Sequence, residues 1–136
     1  MFMENCIFCK IIKGELPAQR VYEDDNYLAF LSIGPVNNGH TVVIPKKHTA
    51  TFAELDPQAA ADLIKMVQKL AKEIVAKLQA DAFNLGLNNG EIAGQVIPHV
   101  HWHIMPRYQN DGLVHWQVND KAKEQMDETL AKLLDK

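Results

Sequence analysis

The chain has 136 residues, 47% of them hydrophobic, and a formal net charge of −3. That length fits a single domain, 1–136, with room for a real core. The weakly acidic balance supplies no broad basic field, so nucleic acid is not an expected partner, and no apolar run approaches the ~20 residues of a membrane span.

The N-terminus, MFMENCIFCK, lacks the basic start and long apolar centre of a signal peptide, so the expected location is cytoplasmic. It carries the two cysteines of the chain, Cys6 and Cys9, as a C-x-x-C pair. In a reducing compartment such a pair reads as metal or redox chemistry, not as a structural disulfide. Residues 5–12 suit a short helix or turn around them, broken by Gly14 and Pro17. Val21-Tyr22 and Tyr27–Leu31 read as two strands, with the polar Glu23-Asp24-Asp25-Asn26 as a hairpin turn. Residues 34–39 form a loop. His40–Ile44 is a third strand, stopped by Pro45.

Asp56-Pro57 opens the clearest helix, because aspartate caps and proline suits the first helical position. Leu63, Val67, Leu70, Ile74 and Leu78 recur at steps of three and four, giving one buried stripe to about residue 79. Ala82–Asn88 alternates as a fourth strand, and 89–94 form a glycine-containing loop. His99–Met105 reads as a fifth strand ending near Pro106. Met126, Leu130, Leu133 and Leu134 mark a C-terminal amphipathic helix. The expected fold is α+β: an antiparallel sheet of about five strands, one long helix and a C-terminal helix.

The fifth strand is the most informative segment. His99, His101 and His103 alternate with Val100, Trp102 and Ile104, a period of two that puts the imidazoles on one face and the apolar residues on the other. Half of the six histidines of the chain sit here. Residues two apart on a strand lie about 6.8 Å apart, so the outer pair is separated by roughly 13 Å, too far for one ion to bind all three. A solvated face does not explain three copies of one rare residue, and three buried histidines need many partners. Imidazole is a nucleophile that is neutral near pH 7, whereas a hydroxyl needs a separate base. Position favours His101, which has a histidine on either side.

The segment resembles the signature of the histidine-triad (HIT) family of nucleotide hydrolases and transferases. His99-Val100-His101-Trp102-His103-Ile104-Met105 matches the pattern in full. Gly94-Gln95, Asn88, Gly39-His40, Ile44-Pro45-Lys46-Lys47-His48 and the opening Cys6-Ile7-Phe8-Cys9-Lys10-Ile11-Ile12 match as well. The chain is similar to the Hint-like branch of small bacterial proteins over about residues 4–108, which leaves 109–136 as a C-terminal extension.

The resemblance implies a HIT-like fold and attack by His101 on the α-phosphorus of a purine nucleoside phosphoramidate or dinucleoside polyphosphate. A nucleotidyl-histidine forms, and water releases the nucleoside monophosphate. His103 is implied to contact the α-phosphate near the leaving group. Asn88 and Gln95, with backbone N–H groups of the Gly94 loop, are implied to hold phosphate oxygens, and His40 to support the first histidine of the triad. Phe30, Ser32 and Ile33 fall at the base and ribose positions. Two positions depart from the pattern. Val96 stands where the family often has Ser or Thr to assist the leaving group. Ser32 stands where an acidic or amide side chain usually holds the ribose, and it offers one short hydroxyl instead.

Cys6 and Cys9 supply half of a tetrahedral zinc site, and spacing alone does not choose the other two ligands among the histidines. The resemblance supplies His48 and His99, making a closed structural Zn2+ site that fixes the ring of His99. It also implies a homodimer pairing through Leu63–Leu78 and Ala82–Asn88. Ile64, Met66 and Val75 give that helix apolar surface beyond one stripe. Val114-His115-Trp116 resembles the family's aromatic segment that approaches the neighbouring site. Two other functions compete with the enzyme: a nucleotide-binding regulatory module with weak catalysis, and a zinc hydrolase with metal at His101.

Overall fold

The computed structural model describes residues 3–135. Five strands, β1 (Arg20–Glu23), β2 (Tyr27–Leu31), β3 (Thr41–Pro45), β4 (Ala82–Leu87) and β5 (Trp102–Arg107), form one antiparallel sheet in the order β1-β2-β3-β5-β4. Helices are α1 (Ile7–Ile12), α2 (Pro57–Leu78), α3 (Asp120–Glu124) and α4 (Met126–Leu134). Among the described residues, no helix is long and apolar enough to cross a membrane.

The two sheet faces are covered by very different helices. On one, the 22-residue α2 lays Leu63, Val67, Leu70, Ala71 and Ile74 over Ala29, Val43, Val100 and Ile104. Asp56 starts α2 by accepting the Ala59 N–H at 3.0 Å, and Gln79 ends it in the left-handed region at φ 54. On the other face, the six-residue α1 packs Phe8, Cys9 and Ile11 against Leu28, Phe30, Val42 and Ile44. Strand alternation explains the division: Leu28 and Phe30 point one way, and Ala29 the other.

The chemistry-bearing strand starts later than the alternation suggests. β5 begins at Trp102, so His99 and His101 lie in an irregular lead-in. Backbone groups there are committed elsewhere: Val100 N–H donates to Thr49 O at 2.8 Å, and His99 N–H to Ile97 O at 2.8 Å. β5 ends one residue past Pro106, at Arg107. The ladder to β3 stops at Thr41 opposite Ile104, so Pro106 faces only β4, where a missing N–H is tolerated. The C-terminal helical stretch is two short helices. Met126, Leu130, Leu133 and Leu134 do share α4, but all four are exposed. Ile64 and Met66 of α2 pack on the core of their own chain.

Candidate active site

The functional side chains gather on the α1 face, beginning with a cluster of four donors. Cys6 caps α1, and its Sγ accepts the Cys9 N–H at 3.4 Å. The sulfur and Nδ1 atoms of Cys6, Cys9, His48 and His99 all lie within 4.8 Å of one another. His48 Nδ1 and His99 Nδ1 are 3.2 Å apart, and Cys6 Sγ and Cys9 Sγ stand 3.4 and 3.6 Å from His99 Nδ1. A tetrahedron with ordinary zinc bond lengths has nitrogen–nitrogen edges of about 3.3 Å and sulfur–nitrogen edges of about 3.5 Å. The donor set therefore fits a tetrahedral cation. His99 Nε2 lies 2.8 Å from the Pro45 carbonyl, which accepts only, so the proton is on Nε2 and the Nδ1 lone pair faces the cluster.

Backbone groups assign the tautomers of His101 and His40 in the same way, and His40 assigns that of His103. His101 Nδ1 donates to the His99 carbonyl at 2.7 Å, which leaves a lone pair on Nε2. The Val36 N–H donates to His40 Nδ1 at 3.1 Å, so His40 carries its proton on Nε2. That N–H donates to His103 Nδ1 at 2.8 Å, and His103 in turn must hold its proton on Nε2. The result is an unprotonated Nε2 on His101 beside a proton-bearing Nε2 on His103, with ring centroids 5.0 Å apart. Burial lowers all of these imidazoles below their ordinary value. His99 and His103 are pushed down to about 4, His103 first by burial and then by His101 and His40. All are neutral at pH 7.

A cavity of about 430 Å³ opens beside this pair. Phe8, Ile11, Phe30 and Ile97 give it an apolar wall, and His101, His103, Asn88 and Gly94 give it polar groups. Ser32 and Ile33 line it after β2, and Val96, 83% exposed, stands at its margin. A larger groove of about 550 Å³ runs past Asn26, Lys46 and Asp62, but none of the histidines line it. Polar groups converging on a cavity, and not its size, mark the site.

Three expectations change. Gln95 does not line the cavity. Its amide is spent on Ala50 O at 2.6 Å and Ile97 O at 3.1 Å, and its oxygen accepts the Gly90 N–H at 2.9 Å. Its work is to hold the 90–97 loop. The Gly94 and Gln95 N–H groups are also turned inward, to Glu91 O and Gly90 O. Gly94 itself sits at φ +94, where a side chain is strained. His40 supports His103, the third histidine, and not His99. The β3–β5 register sets Val42 opposite His103, whereas His99 lies beyond the ladder beside Pro45.

Phe8 escaped the sequence reading. Its ring lies edge-on to His99 at 5.9 Å and to His101 at 5.1 Å. Its place inside the cysteine pair was the available signal. Trp116, 86% exposed, lines a second cavity on its own chain, together with Met105 and Arg107.

A family model for the HIT domain matches residues 13–110. An uncharacterised HIT-like protein of Methanocaldococcus jannaschii is 53% identical over 80% of this chain and 84% of its own length. Adenosine 5'-monophosphoramidase hnt1 of Schizosaccharomyces pombe is 44% identical over 76% of this chain and 74% of its own. Adenylylsulfatase HINT3 of Arabidopsis thaliana is 45% identical over 80% of this chain and 55% of its own. Among solved structures, a HIT-family protein from Bacillus subtilis superposes with a TM-score of 0.79 at 40% identity, covering 98% of this chain and 99% of that one. A Zn-bound histidine triad family protein from Mycobacterium smegmatis superposes at 0.77 with 36% identity, each chain covered to 95%.

Proposed function

This chain belongs to the histidine-triad family, and from that premise we propose that it is a cytoplasmic nucleotide hydrolase or transferase acting at the α-phosphate of purine nucleoside phosphoramidates or related adenylylated compounds. The observation that carries the proposal is the 2.7 Å bond from His101 Nδ1 to the His99 carbonyl, which frees Nε2 at the cavity wall. His101 Nε2 attacks the α-phosphorus, a phosphorus–nitrogen bond forms, and the bond to the leaving group breaks. His103 Nε2–H donates a hydrogen bond to the departing atom, stabilising its charge. A leaving amine takes its proton from water. Water then attacks the nucleotidyl-histidine, releases the monophosphate, and returns one proton. The apolar wall of Phe8, Ile11 and Phe30 takes the nucleoside, Ser32 and Ile33 lie at its margin, and Asn88 donates to a phosphate oxygen.

Cys6, Cys9, His48 and His99 would hold a structural Zn2+. The ion would anchor α1 and fix the residue whose carbonyl orients His101. The names of the two relatives, a phosphoramidase and an adenylylsulfatase, support a leaving group joined to an adenylyl phosphate. A homodimer fits the open edge at β4 and the exposed apolar side chains of residues 114–134. Sedimentation as a monomer at micromolar concentration overturns the dimer.

The test of the reaction is intact-protein and peptide mass spectrometry after brief mixing with adenosine 5'-phosphoramidate. The expected product is an adenylyl group on His101, absent in His101→Ala. Turnover with the adduct on another residue overturns the assignment.

A further inference from the structure

One carboxylate outside the triad collects an unusual set of donors. Asp111, whose side chain is 8% exposed, lies at the turn that follows β5. Its Oδ2 accepts from Arg107 Nε at 2.8 Å, Tyr108 N–H at 3.0 Å and Asn37 Nδ2 at 3.0 Å. Its Oδ1 accepts from Arg107 Nη2 and Leu113 N–H, both at 3.0 Å. These donors hold its carboxyl well below the usual carboxylate range, with Arg107 the largest influence. A charge held this completely is a fixed point of the structure.

Asn37 is the one donor of the five that comes from the β2–β3 loop. Its amide also donates to the Pro106 carbonyl at 3.1 Å, and Tyr108 Oη reaches Asn38 O at 3.0 Å, so the loop is fastened to the end of β5. The same loop wraps His40. The Asn37 carbonyl accepts the His40 N–H at 3.2 Å, and the neighbouring Val36 N–H sets the His40 tautomer at 3.1 Å. His40 then sets His103. A continuous series of contacts thus runs from Asp111 through Asn37 and the loop backbone to the proton on His103 Nε2.

The geometry points to Asp111 and Asn37 as positioning residues for the His103 donor. The inference rests on the reading of the site given above. Neither side chain lines the 430 Å³ cavity. They act by holding the Val36 N–H against His40 Nδ1. When that bond loosens, His40 is free to take the other tautomer, and His103 no longer carries a fixed proton toward the leaving group. The loss matters in proportion to the leaving group's need. An amine departs with developing charge on nitrogen and depends on the donor. Sulfate is already stable as an anion and does not.

The test compares wild type with Asn37→Ala and Asp111→Asn on two substrates, adenosine 5'-phosphoramidate and adenylyl sulfate. Asn37→Ala leaves the Arg107–Asp111 pair in place, so it keeps the idea testable if Asp111→Asn folds poorly. The expected result is a fall in kcat of about tenfold or more on the phosphoramidate with little change in KM, since small misplacements from outside a site can cost up to about 100-fold. Adenylyl sulfate turnover should change less than about threefold. An equal fall on both substrates, or no fall on either, overturns the proposal. Imidazole 15N shifts give an independent readout. Wild type should show both His40 and His103 protonated at Nε2, and Asn37→Ala should show mixed tautomers at His40. An unchanged His40 pattern in Asn37→Ala overturns the proposal even if wild type hydrolyses neither substrate, the outcome that would instead sink the reading of the site.

Discussion

The two faces of the sheet do different work. The α2 face is a continuous apolar layer under a 22-residue helix, with nine buried residues and no titratable group among them. The α1 face carries Cys6, Cys9 and the histidines under a helix of only six residues. A helix that short has no stability of its own. Its place depends on what Cys6, Phe8, Cys9 and Ile11 touch. One face is thus apolar throughout and the other combines apolar packing with chemistry, and the two should respond to different perturbations.

The sharpest way to break that division is at His101. His101→Ala should lower turnover by on the order of 10^4-fold or more, as removal of a covalent nucleophile does, while leaving the melting transition near wild type. A folded variant with near-normal kcat ends the assignment. Next in size is loss of the proposed Zn2+. Chelation, or Cys9→Ser, should cost several kcal/mol and release α1, because binding energy at a closed structural site is folding energy. Elemental analysis and melts with and without chelator measure it, and a zinc-free protein with an unchanged melt refutes the site. On the opposite face, Leu70→Ala should cost about 2–5 kcal/mol as a cavity in a packed core. Denaturant unfolding reads that cost, while zinc content and the kcat of the folded fraction stay as in wild type. If zinc is lost as well, the faces are not independent.

Acid should act on the α1 face at smaller scale. His103 sits at about 4 when folded and near the ordinary imidazole value when unfolded. Between those values the unfolded chain binds the extra proton, so stability falls as pH drops from about 6.5 toward 4 and levels off below. Turnover should hold from pH 8 to 6 and decline toward 4. A rate that rises on acidification contradicts a neutral His101–His103 pair. The smallest effect is expected at Val96. Val96→Ser restores the family's common hydroxyl at the exposed margin of the cavity and should raise phosphoramidate turnover a few-fold. No gain would mean that His103 alone meets the need.

Much of this arrangement was legible in the residues. Apolar steps in α2 and its Asp56-Pro57 start announce themselves locally, because each signal lies within one element. The triad and the cysteine pair were legible as motifs. What escaped depends on register and on side chains that claim backbone groups. Nothing local says that His40 meets His103, since that follows from Val42 pairing with His103 across β3 and β5. Gln95 is a ligand residue only by the resemblance, and nothing local announces its contact with Ala50, 45 positions away, that helps turn its amide inward. Strand alternation placed His99 in β5, yet the commitments of residues 97–101 to Thr49 and to one another delay the ladder to Trp102.

The span of the cysteine–histidine contacts has a consequence for how the molecule is made. Cys6 and His99 are 93 positions apart in the chain. At a synthesis rate of about 5–20 residues per second, Cys6 is added to the chain roughly 5–20 s before His99 is. During that interval α1 can dock on Leu28, Phe30, Val42 and Ile44, but the four-donor cluster stays incomplete. Catalytic competence therefore arrives only after His99 and His101 have emerged, since the His99 ring completes the donor cluster and its carbonyl orients His101.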